Sequence, residues 1–280
     1  MRHIPLPVDE HSEAFDACTS NFQDPNVTQS YLNIKQYVLD AGHHFIRNIR
    51  NHELSLILPT PNINGVDMKQ AMMKLYTDKL AKKGQPGRVY YDRWRSIVQG
   101  DRCPLCSIKK ISTLDHYLSK AHFPIYSIFP FNLVPACRDC NTEKLTHVAT
   151  QYSEETLHPY FDDIDQHPWL AARIIEAVPA SFTFYIEAAP EWSQELISRI
   201  EKHMEVLKLN DLFSFHAAEE LSNIRFRLHK LFRAGGSAPV RDHLIECLEG
   251  YEDAKINSWQ TAIYRAMSES EWFHSNGFLI

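Results

Sequence analysis

No stretch of this 280-residue chain approaches the roughly 20 apolar residues that a membrane-spanning helix needs. The opening residues, Met-Arg-His-Ile-Pro-Leu-Pro-Val-Asp-Glu, lack a charged segment followed by an apolar one, so no secretory leader is expected. Both absences lead to the expectation of a soluble, cytoplasmic protein with no membrane partner. Positive charge is not in surplus either: 29 Lys and Arg stand against 35 Asp and Glu, a formal charge of −6. A protein that grips nucleic acid through its overall charge does not fit this balance, and any basic surface must be local. Repeats and low-complexity tracts are missing as well. With 44% hydrophobic residues, the chain is expected to bury a sizeable core in one large domain or two to three packed parts.

What is present begins with cysteine. Four of the six cysteines form two Cys-x-x-Cys pairs, Cys103/Cys106 and Cys137/Cys140. In a reducing compartment such pairs read as metal ligands rather than disulfides, because two thiolates from each of two turns complete one tetrahedral Zn²⁺ site. Four protein ligands close the site, which makes the expected zinc structural. Cys18 and Cys247 stand alone and read as buried apolar fillers.

Around this clamp the chain reads mainly helical. Ile34, Tyr37, Val38, Ala41 and Phe45 follow helical spacing, with Thr28 as the expected N-cap, and Met68, Met72 and Leu75 repeat the pattern beyond a breaker-rich stretch. Three later stripes, Leu196 to Leu207, Leu221 to Leu231 and Trp259 to Met267, predict helices, the second closed by Gly235-Gly236. Phe182 to Ile186 alternates like a strand. Two basic segments stand out. Residues 82–95 interleave five basic residues with aromatics, which suits phosphate contact and base stacking, or else a solvated turn and a helix whose aromatics are core. Arg225, Arg227, Lys230 and Arg233 spread around a helix axis and read as a solvated surface.

Between the cysteine pairs, Thr113 to Leu118 suits a first strand and Leu133 to Ala136 a second. Asn141 suits the start of a helix running on through Lys144 and Leu145. Adjacent strand residues face opposite ways, so Asp115 and His116 are expected to divide the labour, the carboxylate holding a cation and the imidazole facing a water.

A Cys-x-x-Cys before Leu114-Asp115-His116-Tyr117, with a second Cys-x-x-Cys followed at once by Asn141, resembles the HNH, or His-Me finger, endonucleases. The stand-alone bacterial members are especially similar, and the Asp-His, Asn, Asn order also resembles the HNH domains of RNA-guided CRISPR nucleases. The resemblance covers about residues 103–162 and implies an α+β, mainly helical fold. A ββα-metal finger with its zinc clamp (residues 99–165) would sit between helical regions at 1–98 and 166–280. It further implies that Asp115 and Asn141 hold a catalytic divalent ion, that His116 is the general base, and that Asn132 braces the loop.

Many relatives carry a further His where this chain has Leu145, and a site with two oxygen donors suits Mg²⁺ or Mn²⁺. His158 reads as phosphate- or metal-contacting, or as a hydrogen-bonded structural histidine, the commoner fate. Lys120, Arg138 and Lys144 are near enough to neutralise phosphate, although lysines in such segments are more often solvated. The implied activity is metal-dependent hydrolysis of DNA in bacterial anti-phage defence or restriction, with an ATPase among the expected partners. An RNase of the same mechanism and a zinc ribbon that only binds nucleic acid or protein are the alternatives.

Overall fold

The computed structural model describes residues 1–59, 61–144 and 148–279. The chain divides into two compact units, Met1–Asp163 and Ile164–Ile280. The architecture is α+β and mainly helical, and no helix among the described residues is long and apolar enough to cross a membrane.

The first unit opens with α1 (His11–Thr19) and α2 (Pro25–Arg50). Asp24, not Thr28, caps α2: its side chain accepts the Asn26 N–H at 2.9 Å, and Pro25 with its fixed φ starts the helix. Ile34, Val38 and Phe45 are buried, whereas Tyr37 lies at the edge of that stripe and is exposed. The breaker-rich segment is a tight hairpin of β1 (Asn62–Ile63) and β2 (Val66–Asp67). Asn64 and Gly65 both adopt positive φ there, the requirement of a two-residue type I′ turn.

Next, α3 (Lys69–Lys74) passes directly into a π-helical turn, Leu75–Leu80, and α4 covers Arg88–Arg95. A side chain at Gly87 would stand 2.6 Å from the Cys18 sulfur, so only glycine permits this approach.

Tyr91 and Trp94 of α4 are core residues, and the Trp94 indole donates to Asp9 at 2.8 Å. Arg88 is engaged by Asp92 and Arg93 by Asp9. Of the two readings of residues 82–95, the core reading therefore holds for Tyr91 and Trp94. The strands β3 (Thr113–His116) and β4 (Leu133–Ala136) pair antiparallel, with Thr113 opposite Ala136 and His116 opposite Leu133. Helix α5 (Arg138–Lys144) follows at once. It starts ahead of Asn141, which therefore sits within the helix and does not cap it, because Cys137 and Cys140 already form its first turn. Leu145 lies outside the described residues.

Leu114 and Leu133 of this hairpin belong to the same buried cluster as Phe15, Met72, Leu80 and Trp94. Residues 1–98 and the cysteine segment, read separately in sequence, thus share one core.

In the second unit, β5 (Leu170–Ile175) pairs antiparallel with β6 (Ser181–Ile186). The helices are α6 (Gln194–Val206), α7 (Leu209–Gly235), α8 (Ser237–Ala254) and α9 (Trp259–Glu269). Strand β5 escapes sequence reading because its Leu-Ala-Ala-Arg stretch is weak in β-formers. Gly236, at φ 76°, ends α7 as expected. Arg227, Lys230 and Arg233 are exposed, as a solvated surface requires. Cys18 is fully buried, but Cys247 is only half-buried, with its sulfur 3.8 Å from His243 Nε2.

His11 packs beside the Phe129 ring with neither ring nitrogen hydrogen-bonded among the described residues. Burial, aided by the charge of His43, pushes its pKa down to about 3. The unfolded chain, with a His pKa of about 6.5, takes up this proton first, so folding stability falls as pH drops from about 6.5 towards about 3. His11→Leu should lose less stability than the wild type between about pH 7 and about pH 4.5 in urea unfolding. Equal losses would assign the acid sensitivity elsewhere.

Candidate functional site

The sulfurs of Cys103, Cys106, Cys137 and Cys140 all lie within 4.8 Å of one another and are buried. Tetrahedral Zn–S bonds of about 2.3 Å place sulfurs roughly 3.8 Å apart, so the four thiols fit a closed zinc site. The first pair sits on a small turn: the Cys103 N–H donates to Lys109 O at 2.8 Å and the Ser107 N–H to Cys103 O at 2.7 Å. Ser107 takes a positive φ to close it. The second pair spans the first turn of α5, where the Cys140 N–H points at the Cys137 sulfur at 3.4 Å. A Lys109–Asp139 ion pair joins the two halves.

Asp115, His116, Asn141, Lys120 and Lys144 line one cleft of about 180 Å³, together with Tyr76. Asp115 and His116 thus open on the same space although they are neighbours in sequence. His116 is the last residue of β3, paired in register with Leu133.

The His116 Nε2 lies 2.9 Å from the carbonyl oxygen of Ser127. A carbonyl only accepts, so Nε2 carries the proton and Nδ1 keeps a lone pair. Burial, then the charge of Lys120, pushes the His116 pKa down to about 3, which leaves the ring neutral.

Asp115 is 5% exposed. Burial raises its pKa, opposed by Lys144, whose Nζ stands 3.0 Å from Oδ2. That ammonium also donates to the carbonyls of His116 at 3.0 Å and Tyr117 at 2.8 Å. Lys144 is therefore not the solvated lysine that its sequence context suggests. As the last residue of α5, it folds back under β3 as a buried counter-ion. Arg138 is exposed at the other end of the helix.

Asn132 is completely buried and clamps the loop after β3: its Oδ1 accepts the Leu118 N–H at 2.6 Å, and its Nδ2 donates to Leu118 O and Tyr126 O. His158 stands apart from the cleft. Its Nε2 meets Phe131 O at 3.0 Å, its Nδ1 accepts the Tyr160 N–H, and its ring lies 4.2 Å from that of Tyr117. These bonds give it a structural role.

Two contributors escaped the sequence. Ser127 acts through its backbone carbonyl, so no side-chain identity could reveal it. Tyr76 lies one helical turn beyond Met72 and reads there as one more core residue.

No protein-family model matches the chain, and no solved structure matches it significantly. The chain is 30% identical to protein ea31 of Escherichia phage lambda over 296 aligned positions, which cover 98% of this chain and 99% of that protein.

Cys103→Ser should lower the metal bound to the purified protein and its melting temperature together, because metal affinity here is folding energy. Metal analysis and a thermal melt read both, and an unchanged metal content would refute the clamp. Asn132→Ala should cost about 2 kcal/mol or more in urea unfolding, since it removes the side chain that pairs both the N–H and the carbonyl of Leu118 and leaves Tyr126 O with the Phe129 N–H alone. A loss below about 0.5 kcal/mol would show that water replaces the amide.

Proposed function

We propose that this chain, which belongs to the family of Escherichia phage lambda protein ea31, is a zinc-stapled endonuclease of the HNH type. On this reading it hydrolyses phosphodiester bonds in DNA. The observation that carries this reading is the joint cleft: a buried carboxylate, an amide and a neutral imidazole with its Nδ1 lone pair available. A zinc ribbon that only binds needs none of these three. The strand–strand–helix order of β3, β4 and α5, closed by four thiols, is the frame that such a finger requires.

Asp115 and Asn141 offer one carboxylate and one amide oxygen, a donor pair that suits a hard ion keeping water and phosphate as its other ligands. Mg²⁺ or Mn²⁺ bound there would supply positive charge to the phosphate and to the leaving oxygen. His116 Nδ1 takes the proton from the attacking water, and the Nε2–H bond to Ser127 holds the ring in the tautomer that allows it. As that proton arrives, the ring becomes a cation beside the carboxylate of Asp115. Asn132 keeps the loop after His116 in place, and Lys144 holds Asp115 while offsetting part of its charge.

Purified wild type should nick plasmid DNA in Mg²⁺ or Mn²⁺. His116→Ala should cut at least about 10²-fold more slowly while retaining its zinc. Total RNA assayed in parallel distinguishes an RNase of the same mechanism. Absence of cutting on both substrates in both metals, or full activity in His116→Ala, would sink the proposal.

A further inference from the structure

One half-buried cation in the cleft has no ion-pair partner among the described residues. Lys120 shares the cleft with Asp115, His116 and Asn141, yet no ion pair among the described residues includes it. Its ammonium instead stands 4.4 Å from the centroid of the Tyr76 ring. Burial lowers its pKa, as expected for an ammonium that has exchanged water for a ring face without gaining a carboxylate.

Tyr76 itself is firmly held. It lies on the π-helical turn Leu75–Leu80, a geometry that often marks functional positions, and it is 7% exposed. Its hydroxyl donates to Leu114 O of β3 at 3.1 Å, and its ring meets that of His116 at 4.4 Å between centroids and 69° between planes. One aromatic side chain therefore touches both the imidazole and the unpaired cation, and it is anchored to the strand that carries Asp115 and His116.

Resting on the nuclease reading, we propose that Tyr76 is a positioning residue that, with Lys120, forms the subsite for the non-bridging oxygens of the phosphate under attack. An anionic diester completes the pairing that Lys120 lacks. Tyr76 sets the ammonium and the imidazole at a fixed separation, so that the phosphate bound by one is presented to the water activated by the other.

Steady-state cleavage of plasmid DNA by Tyr76→Phe, Tyr76→Leu, Lys120→Met and the Tyr76→Leu/Lys120→Met pair tests this, with zinc content and melting temperature as folding controls. Tyr76→Phe keeps the ring but loses the hydroxyl bond to Leu114 O, so its kcat/KM should fall less than that of Tyr76→Leu. Lys120→Met should raise KM about tenfold with kcat nearly unchanged, whereas Tyr76→Leu should lower kcat as well and kcat/KM about hundredfold. The double variant should fall no more than about twofold below Tyr76→Leu, because the ring's loss already releases the ammonium. Fully additive losses, or wild-type kinetics in a folded Tyr76→Leu, would overturn the subsite.

A wild type that cuts no nucleic acid would defeat the nuclease reading instead, and inorganic phosphate then tests the subsite directly. Titration followed by NMR should show saturable binding to wild type and Tyr76→Phe, lost in Lys120→Met and weakened in Tyr76→Leu. No binding to wild type, or equal binding by all four proteins, would overturn it.

Discussion

The convergence of Cys103, Cys106, Cys137 and Cys140 ties the turn before β3 to the helix after β4. A two-stranded ladder of four residues has little stability of its own, and isolated hairpins are marginal in water. Joined at the cysteine end, the ladder is held at Thr113 opposite Ala136, and a slip of one residue would exchange its faces. That register sets Asp115 opposite Val134 and His116 opposite Leu133. Because Cys137 and Cys140 also make the first turn of α5, the same closure fixes where Asn141 and Lys144 emerge. The packing of Leu114 and Leu133 into the helical core secures the other side of the hairpin.

Within this frame the cleft is an electrostatic balance in a poorly solvated place. A buried carboxylate is costly unless compensated, and Lys144 compensates Asp115 at 3.0 Å while its remaining protons go to two backbone carbonyls. His116 stays neutral because burial and the nearby charge of Lys120 both oppose protonation. Lys120 is left as the cation that the described protein does not neutralise, its charge facing the ring of Tyr76. The overall charge of −6 thus coexists with locally placed positive charge beside the candidate base.

Much of the site was legible in the chain because its chemistry depends on residue type at short spacing. The two Cys-x-x-Cys pairs announced a four-thiol cluster, Thr113 and Leu133 opened the two strands, and Asp115, His116 and Asn141 came to share a cleft. Helices were legible wherever an apolar stripe recurred. Failures came where a competing local signal won: Asp24 with Pro25 displaced Thr28 as the cap, and the cysteine turn started α5 ahead of Asn141. Strand β5, poor in β-formers, exists because β6 supplies it with a partner.

The amino-acid order by itself determined the two Cys-x-x-Cys pairs, the adjacency of Asp115 and His116 and the helical stripes, since each depends on residues close together in the chain. Tertiary structure alone decided which nitrogen of His116 carries its proton, because the accepting carbonyl of Ser127 is eleven residues away and any residue would supply it. It also decided that Lys144 is a buried counter-ion and that Tyr76 joins the cleft. Both outcomes follow from packing across distances at which sequence carries no spacing signal: forty residues separate Tyr76 from His116, and only the shared core brings their rings to 4.4 Å.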